Sequence, residues 1–251
     1  MRSSQELNSL ALEMRRLFGE DGNSPIDIFA IVNGCKEKKI TIVRYPMSSR
    51  ISGMCTRVEE DDVICINSAM SYGRQRFTLA HELYHIFYED NKMQRVICGM
   101  NIGDNNADSE READIFAGYL LVPYDALFQY GRRVGNWCLD AVIEAEQFFQ
   151  ISHLAMVYRL ERDAFIGAHE TDGFKKAVVS REAARLGYGK ELYMPLPEER
   201  QYFTTGEYVR KVELLAENGL ISNGRREELL MDAFRADIVY NMDEEERNPN
   251  D

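Results

Sequence analysis

The spacing of apolar residues predicts a helix at the start of the chain and a small sheet after it. Residues 4–18 place leucines and a methionine on one side of a helix, with charged residues between them. Residues 39–45 are rich in β-branched side chains, which predicts a strand. Residues 52–58 and 63–67 flank an acidic turn, as the two strands of an antiparallel hairpin do. This part of the chain is therefore expected to combine helix with sheet.

Helical spacing dominates the rest of the chain. A short helix is expected at 25–32, with Ser24 as its N-cap and Pro25 in the first position, where a missing N–H costs nothing. A largely buried helix is expected over residues 77–88, because apolar residues support it on several sides. Further predicted helices cover residues 109–122, 136–149, 152–162 with Leu154, Met156 and Leu160 inward, 206–218 and 223–240.

Three segments lack such a pattern. Residues 90–108 are polar and contain glycines, which predicts a long surface loop, and residues 187–205 contain the glycines and prolines typical of a linker. Residues 242–251 are charged and poor in apolar side chains, which predicts a disordered tail. The expected organisation is an α+β fold with a first domain at 1–170 and a C-terminal linker and helical region at 171–251.

Composition restricts the class of function. A chain of 251 residues with 45% apolar side chains can bury a substantial core. Charged residues interrupt the first thirty positions, so neither a leader nor a membrane span is expected, and the cytoplasm is the predicted location. Five cysteines without a CxxC pair favour reduced thiols over a disulfide framework. The net charge of -12 argues against direct nucleic-acid binding and against an anionic membrane, and it favours protein partners.

The candidate chemistry is concentrated at His81, Glu82 and His85. Residues four positions apart share one face of a helix, so two imidazoles can bind one tetrahedral metal ion. Glu82 can take a proton from a water molecule during attack on a peptide carbonyl. The alternative is a pair of buried or surface histidines on an amphipathic helix. The metal interpretation is favoured because two of the four histidines of the chain stand here.

A third ligand is expected from the predicted helix 109–122. Glu110 offers a carboxylate, and Asp114, four positions later, can orient a ligating histidine. Glu112 is assigned a structural role, since Ser109 and Glu112 fit a capping box. The alternative is that Glu110 and Asp114 are ordinary acidic residues near a helix N-terminus, where the helix dipole favours them. Two imidazoles and a carboxylate suit zinc best, with manganese and iron as alternatives.

Two blocks of the sequence resemble the ImmA/IrrE family of metallopeptidases. They are RQRFTLAHELYH at 74–85 and EREADIFAGYLLVP at 110–123, in the order and at the distance found in that family. Residues 151–160 resemble the helix that follows them, so the resemblance covers residues 40–160. It implies a zincin-like core, in which a small twisted sheet, antiparallel or mixed, packs on the metal-bearing helices, plus a helical C-terminal region.

The same resemblance implies a site and a substrate. Zinc would be bound by His81, His85 and Glu110, with Glu82 as the general base. Members of the family inactivate a helix-turn-helix repressor by cleavage, typically one encoded beside them in a mobile element, stress response or toxin-antitoxin system. The expected function is therefore a zinc-dependent metalloendopeptidase whose protein substrate is such a repressor.

The active site would need further groups. The candidates for a hydrogen-bond donor to the oxyanion are His153, Tyr158, Arg159 and Tyr84. The predicted hairpin at 52–67 is a candidate shelf for an extended substrate that pairs as an additional strand.

Three other functions stay open at this point. A metal-binding regulatory module could bind and inactivate a partner repressor without cutting it. A DNA-binding protein could use residues 138–162 as a pair of helices about a short turn, although the acidic balance of the chain weighs against it. A member of a toxin-antitoxin pair could act without proteolysis. The oligomeric state is left open.

Overall fold

The computed structural model has an α+β fold built around one mixed sheet. It describes residues 1–89, 96–99 and 108–240. The strands found there are β1 (Lys39–Tyr45), β2 (Ile51–Val58), β3 (Asp61–Asn67), β4 (Val96–Gly99) and β5 (Phe203–Gly206). They lie in the order β4-β2-β3-β1-β5. β1 and β3 run parallel, and the other neighbouring pairs run antiparallel.

The three predicted strands are confirmed, and β4 and β5 are additions to them. β4 lies inside the expected loop 90–108 and α4 begins at its last residue, so that prediction is wrong at 96–99 and at 108, while residues 90–95 and 100–107 lie outside the described residues. β5 lies in the expected linker 187–205 and pairs with β1, so this segment is also more than a connection. β4 and β5 form the two edges, which puts β2 and β3 inside the sheet. Within the described residues, β4 covers the outer side of β2 from Ile51 to Cys55, and the role of the hairpin as a substrate shelf stays a prediction.

Helices surround the sheet and make up most of the remaining chain. In the described residues they are α1 (Ser4–Leu17), α2 (Ile28–Asn33), α3 (Tyr72–Tyr88), α4 (Asp108–Leu121), α5 (Tyr124–Val134), α6 (Leu139–Phe149), α7 (His153–Arg162), α8 (Ala168–Lys175), α9 (Val179–Arg185), α10 (Glu207–Glu217), α11 (Asn223–Asp232) and α12 (Ala236–Tyr240), with short 3-10 turns at Glu191–Tyr193 and Glu198–Arg200. Within this part of the chain, none of the helices has the length and apolar character needed to cross a bilayer.

The start of α2 differs from its prediction. The N-cap is Asp27, whose carboxylate accepts hydrogen bonds from two backbone N–H groups of the first turn. Ser24 instead closes a turn on Asp21, whose carboxylate accepts the Ser24 backbone N–H at 2.6 Å. The predicted cap at Ser24 and the predicted start at Pro25 are therefore wrong.

Other helix predictions need smaller corrections. α5, α8 and α9 lie where no helix is expected, and the predicted helix 223–240 is divided into α11 and α12 at Phe234, whose φ is +58°. On α7, Met156 and Leu160 are buried as expected, but Leu154 is exposed. Gly219 follows α10 with a φ of +67°, a conformation that glycine adopts without strain.

The core lies between the sheet and the two helices that carry the candidate site. Alternate residues of the strands, such as Ile42 and Ile64, are fully buried and face the core. α3 contacts β2 and β3 on one side and α4 on the other, while α1 packs against α4. Ala113 and Ala117 are fully buried, as expected for small residues that allow α4 to approach α3 closely. α3 is therefore a central helix, and nearly every side chain from Phe77 to Ile86 is buried.

The C-terminal region contributes to the same sheet. β5 begins within the expected linker, and α10 contacts both β5 and β1. The division into residues 1–170 and 171–251 stays a prediction, although the sheet takes strands from both sides of it. The predicted disordered tail at 242–251 lies outside the described residues.

Candidate metal centre

Three potential metal ligands meet where α3 and α4 pack together. His81 and His85 lie on one face of α3, and their Nε2 atoms are 3.1 Å apart. Glu110, in the first turn of α4, approaches both: Oε2 is 3.4 Å from His81 Nε2, and Oε1 is 3.5 Å from His85 Nε2. One ligand atom from each residue lies within 4.8 Å of the others. The structure thus brings together the three residues that the sequence indicated.

These separations fit a small tetrahedral ion. A zinc–nitrogen distance of about 2.0–2.1 Å places neighbouring tetrahedral ligand atoms roughly 3.3–3.4 Å apart. The separations among His81, His85 and Glu110 lie on either side of that value. Both histidines are almost fully buried and Glu110 is mostly so, which limits competition from bulk water.

The Nδ1 atom of each histidine, on the side of the ring away from the other two ligands, faces a carboxylate. Asp114 Oδ1 lies 2.9 Å from His81 Nδ1, as expected from the sequence. Glu89 Oε2 lies 2.9 Å from His85 Nδ1, and this contact was not predicted. A carboxylate beside Nδ1 favours the proton there, and it leaves the lone pair on Nε2. The two Nε2 lone pairs and the Glu110 carboxylate then converge, and a cation is the group that would relieve their mutual repulsion.

Glu89 is positioned from two helices. It stands directly after α3, and Ser109 of α4 donates its hydroxyl to Glu89 Oε1. Contact with the His85 ring, strengthened by the Ser109 hydroxyl, holds the pKa of Glu89 below its usual value against the effect of burial. The signal in the sequence was the spacing of four residues between His85 and Glu89, the same spacing that separates His81 from His85.

Glu82 is a fully buried carboxylate beside this group. Neither of its oxygens has a hydrogen-bond partner among the described residues, although its side chain is 0% exposed. Gly53 on β2 makes room for it: a Cβ at that position would lie 3.4 Å from Glu82 Oε1 and 2.5 Å from Thr78 Cγ2. A buried acidic side chain without a partner is costly, which indicates that Glu82 is kept for a group that binds there.

Glu112 has a structural role that differs from the predicted one. Ser109 lies inside α4 and binds Glu89, so the expected capping box is wrong. Glu112 instead accepts the Tyr84 hydroxyl and lies 3.3 Å from Arg2 Nη1, and Arg2 also donates to the Tyr84 hydroxyl. Burial raises the pKa of Tyr84, and the bond to Glu112 raises it further. This cluster fixes the residues just before α1 against α3 and α4, and its bonds leave Tyr84 a poor candidate for an oxyanion donor.

His153, a second expected oxyanion donor, is held by contacts with other residues. His153 is buried at the start of α7, where Nδ1 lies 2.6 Å from Glu146 and Nε2 lies 2.9 Å from the carbonyl oxygen of Phe174. Both ring nitrogens are therefore engaged, and these contacts do not support the predicted role. Burial lowers the pKa of His153, but contact with Glu146 outweighs it, so the pKa is raised.

Arg159 is equally engaged, and Tyr158 stays a candidate. Arg159 is almost fully buried and donates to Asp163 and to the carbonyl oxygens of Gly118 and Val122, at the end of α4, and so serves packing. Tyr158 is half-buried and shares a cavity with Asp114, which lies on the outer side of His81. Its role as an oxyanion donor stays a prediction.

A comparison with family models matches residues 35–161 to the IrrE N-terminal-like domain, a peptidase family. The match spans β1 to α7 and includes His81, Glu82, His85 and Glu110. None of the curated proteins matches the chain. The matched region thus coincides with the part of the fold that builds the candidate site.

Proposed function

Since the chain belongs to the family of IrrE N-terminal-like domains, a metallopeptidase family, we propose that it is a zinc-dependent endopeptidase that cuts a helix-turn-helix transcriptional repressor. The observation that carries this proposal is the convergence of His81, His85 and Glu110, with the buried Glu82 carboxylate beside them. These residues supply a metal site and a base within one small volume.

The ligand set favours zinc. Two imidazoles and a carboxylate leave one position of a tetrahedral ion open, which is typical of catalytic rather than structural zinc. A zinc ion held by His81, His85 and Glu110 would supply a Lewis acid for the scissile carbonyl and lower the pKa of water.

Glu82 performs the proton transfers. It takes a proton from the water molecule as the oxygen adds to the peptide carbonyl carbon. It then passes that proton to the amide nitrogen as the carbon–nitrogen bond breaks, so the products are an amine and a carboxylic acid, which then ionises and releases its proton to the amine or to solvent. The buried position of Glu82 keeps competing bulk water away from its carboxylate.

Two features support a DNA-binding regulator as the substrate. The resemblance to ImmA/IrrE peptidases points to a helix-turn-helix repressor encoded beside the gene. The net charge of -12 would attract a basic protein and repel nucleic acid. We place this reaction in the cytoplasm, where such a regulator works.

Cleavage of the neighbouring repressor by purified wild-type protein and by Glu82→Gln protein tests the proposal. Zinc content is measured in both preparations, and fragments are detected by electrophoresis and mass spectrometry. The wild type should produce discrete fragments, whereas Glu82→Gln should retain zinc and produce none. Glu13→Gln is the matched control, because Glu13 is an exposed residue of α1, and it should cleave normally.

The outcomes separate the proposed enzyme from its nearest alternative. Inactivation of the repressor that persists in Glu82→Gln, without fragments, would instead indicate a metal-binding module that acts without cutting. Fragments produced equally by Glu82→Gln would remove Glu82 from the mechanism.

A further inference from the structure

A second cavity lies at the N-terminal end of α3, and no ligand of the metal centre contributes to its lining. It has a volume of about 580 Å³ and is bounded by β1, the first residue of α3 and the segment 190–200. Its charged lining includes Arg44, Lys190 and Arg200, and its apolar lining includes Tyr72, Met194 and Leu196. Cavities of 300–1,000 Å³ with such mixed walls are typical of small-molecule sites.

Arg44 is the most constrained of these cations. Its guanidinium lies over the Phe29 ring, 4.2 Å from the centroid, and Phe29 in turn stacks on Tyr72 with centroids 6.0 Å apart. The Nε atom of Arg44 is buried without a hydrogen-bond partner among the described residues. One face of the guanidinium is therefore covered, while its hydrogen-bonding edge has no protein acceptor in this part of the chain.

Lys190 and Arg200 add positive charge to the lining of the cavity. Both side chains are exposed, so they can turn toward a ligand in the cavity. The one acidic residue of the lining, Glu191, folds its carboxylate against Gly189, where a Cβ would overlap it. Burial lowers the pKa of Arg44. Electrostatic interaction with Tyr72 and with Asp27 raises this pKa, and the charge of Arg200 lowers it.

This concentration of cations stands out against the net charge of -12. At physiological salt, charges more than about 8 Å apart are largely screened, so a ligand responds mainly to the local cluster. A partly desolvated guanidinium without an acceptor is also unfavourable, and a bound anion would relieve that cost. The lining of the cavity thus holds three cationic side chains, Arg44, Lys190 and Arg200, against one acidic side chain, Glu191.

We propose that this cavity binds a small organic phosphate. The phosphate would lie on the donor edge of Arg44, because a guanidinium matches two phosphate oxygens at once, with Lys190 and Arg200 completing its charge balance. The organic part would lie against Tyr72, Met194 and Leu196. The proposal is independent of the proposed peptidase function.

The cavity is built before any ligand arrives. The backbone N–H of Tyr72 donates to Met194 O at 2.9 Å, which fixes the wall formed by residues 190–200 to the start of α3. Tyr193 ties the same wall to α6, because its hydroxyl donates to Glu146 Oε2 at 3.0 Å. A preformed wall lowers the conformational entropy that binding would otherwise cost.

Titration calorimetry of the metal-loaded full chain with phenyl phosphate tests the site. Phenyl phosphate should bind at one site per chain, more tightly than inorganic phosphate and than benzoate. Arg44→Gln should weaken binding about tenfold or more, as the loss of a charge-assisted hydrogen bond predicts. Arg200→Gln and Lys190→Gln change exposed residues, so they keep the test valid should Arg44→Gln fail to fold, and each should weaken binding about threefold.

Arg16→Gln is the matched control, because it removes one exposed cation from α1 and should leave the affinity unchanged. The proposal is overturned if wild-type protein does not bind phenyl phosphate at millimolar concentration. It is equally overturned if Arg44, Lys190 and Arg200 can be replaced without effect, as would happen with an anion bound at the metal. Benzoate binding as tightly as phenyl phosphate would reject the assignment to phosphate.

Discussion

Asp114 stands directly behind His81, with Oδ1 2.9 Å from Nδ1. The opposite nitrogen of the ring faces His85 and Glu110. The imidazole is therefore held between a carboxylate on α4 and the proposed metal position. Because Asp114 is mostly buried, its charge acts on the ring with little screening by solvent. Such a carboxylate fixes the orientation and tautomer of the ring and makes Nε2 a stronger ligand.

Replacing Asp114 should therefore weaken the metal site without removing a ligand. Asp114→Ala is expected to lower zinc affinity about 10- to 100-fold, as the loss of a partner to a ligating histidine does. Asp114→Asn keeps an acceptor oxygen and should lower the affinity less. Competition against a chromophoric chelator measures both. Equal affinity in wild-type and Asp114→Ala protein would show that His81 needs no support from α4.

Glu89 is expected to support His85 in the same way. Glu89→Gln keeps the size of the side chain but removes the charge beside Nδ1, so zinc affinity should fall about tenfold. Glu89 is more exposed than Asp114, and its effect should be the smaller of the two. Ser109→Ala, which removes only the hydroxyl that binds Glu89, should lower the affinity less than Glu89→Gln. An effect of Ser109→Ala as large as that of Glu89→Gln would contradict this order.

The central helix and its ligands were predictable because their signals are local. The spacing from His81 to His85 fixes a shared helix face wherever the helix packs. Glu110 followed from the chemical need for a third ligand together with its place at the start of a helix. The strand at Lys39–Tyr45 was predictable because its β-branched residues favour an extended backbone.

Features that depend on contacts with residues distant in the chain were not predicted from the sequence. β4 and β5 have four residues each, too few for a clear alternation, and they are strands because β2 and β1 pair with them. Ser24 and Asp27 are both good capping residues, and the choice between them depends on Arg15, which donates to Ser24 O from α1.

The buried contact between His153 and Glu146 should make the free energy of unfolding depend on pH. The pKa of His153 is raised above its ordinary value of 6.5, so the charged ring contributes stability that is fully present below that pH. The contribution is lost as the pH rises through the folded-state pKa. The free energy of unfolding of wild-type protein should thus fall relative to that of His153→Gln protein as the pH rises above 6.5. Denaturant unfolding at a series of pH values measures the difference.

His169→Gln is the control for that experiment. His169 is an exposed residue of α8, so its replacement should leave the pH profile of stability parallel to that of the wild type. A stability difference between wild-type and His153→Gln protein that stays constant from neutral to alkaline pH would show that the buried pair does not titrate there.

Gly53 should tolerate no larger side chain, because β2 passes close to α3 beside Glu82. A Cβ there would lie 2.5 Å from Thr78 Cγ2 and 2.9 Å from the carbonyl oxygen of Cys65. Gly53→Ala is expected to destabilise the protein by about 1–3 kcal/mol, as overpacking of a buried contact does. Thr78→Ser removes the first of these clashes, so the double variant should recover part of the lost free energy of unfolding, as denaturant titration would measure. Simple addition of the two single effects would instead place the strain at the Cys65 backbone.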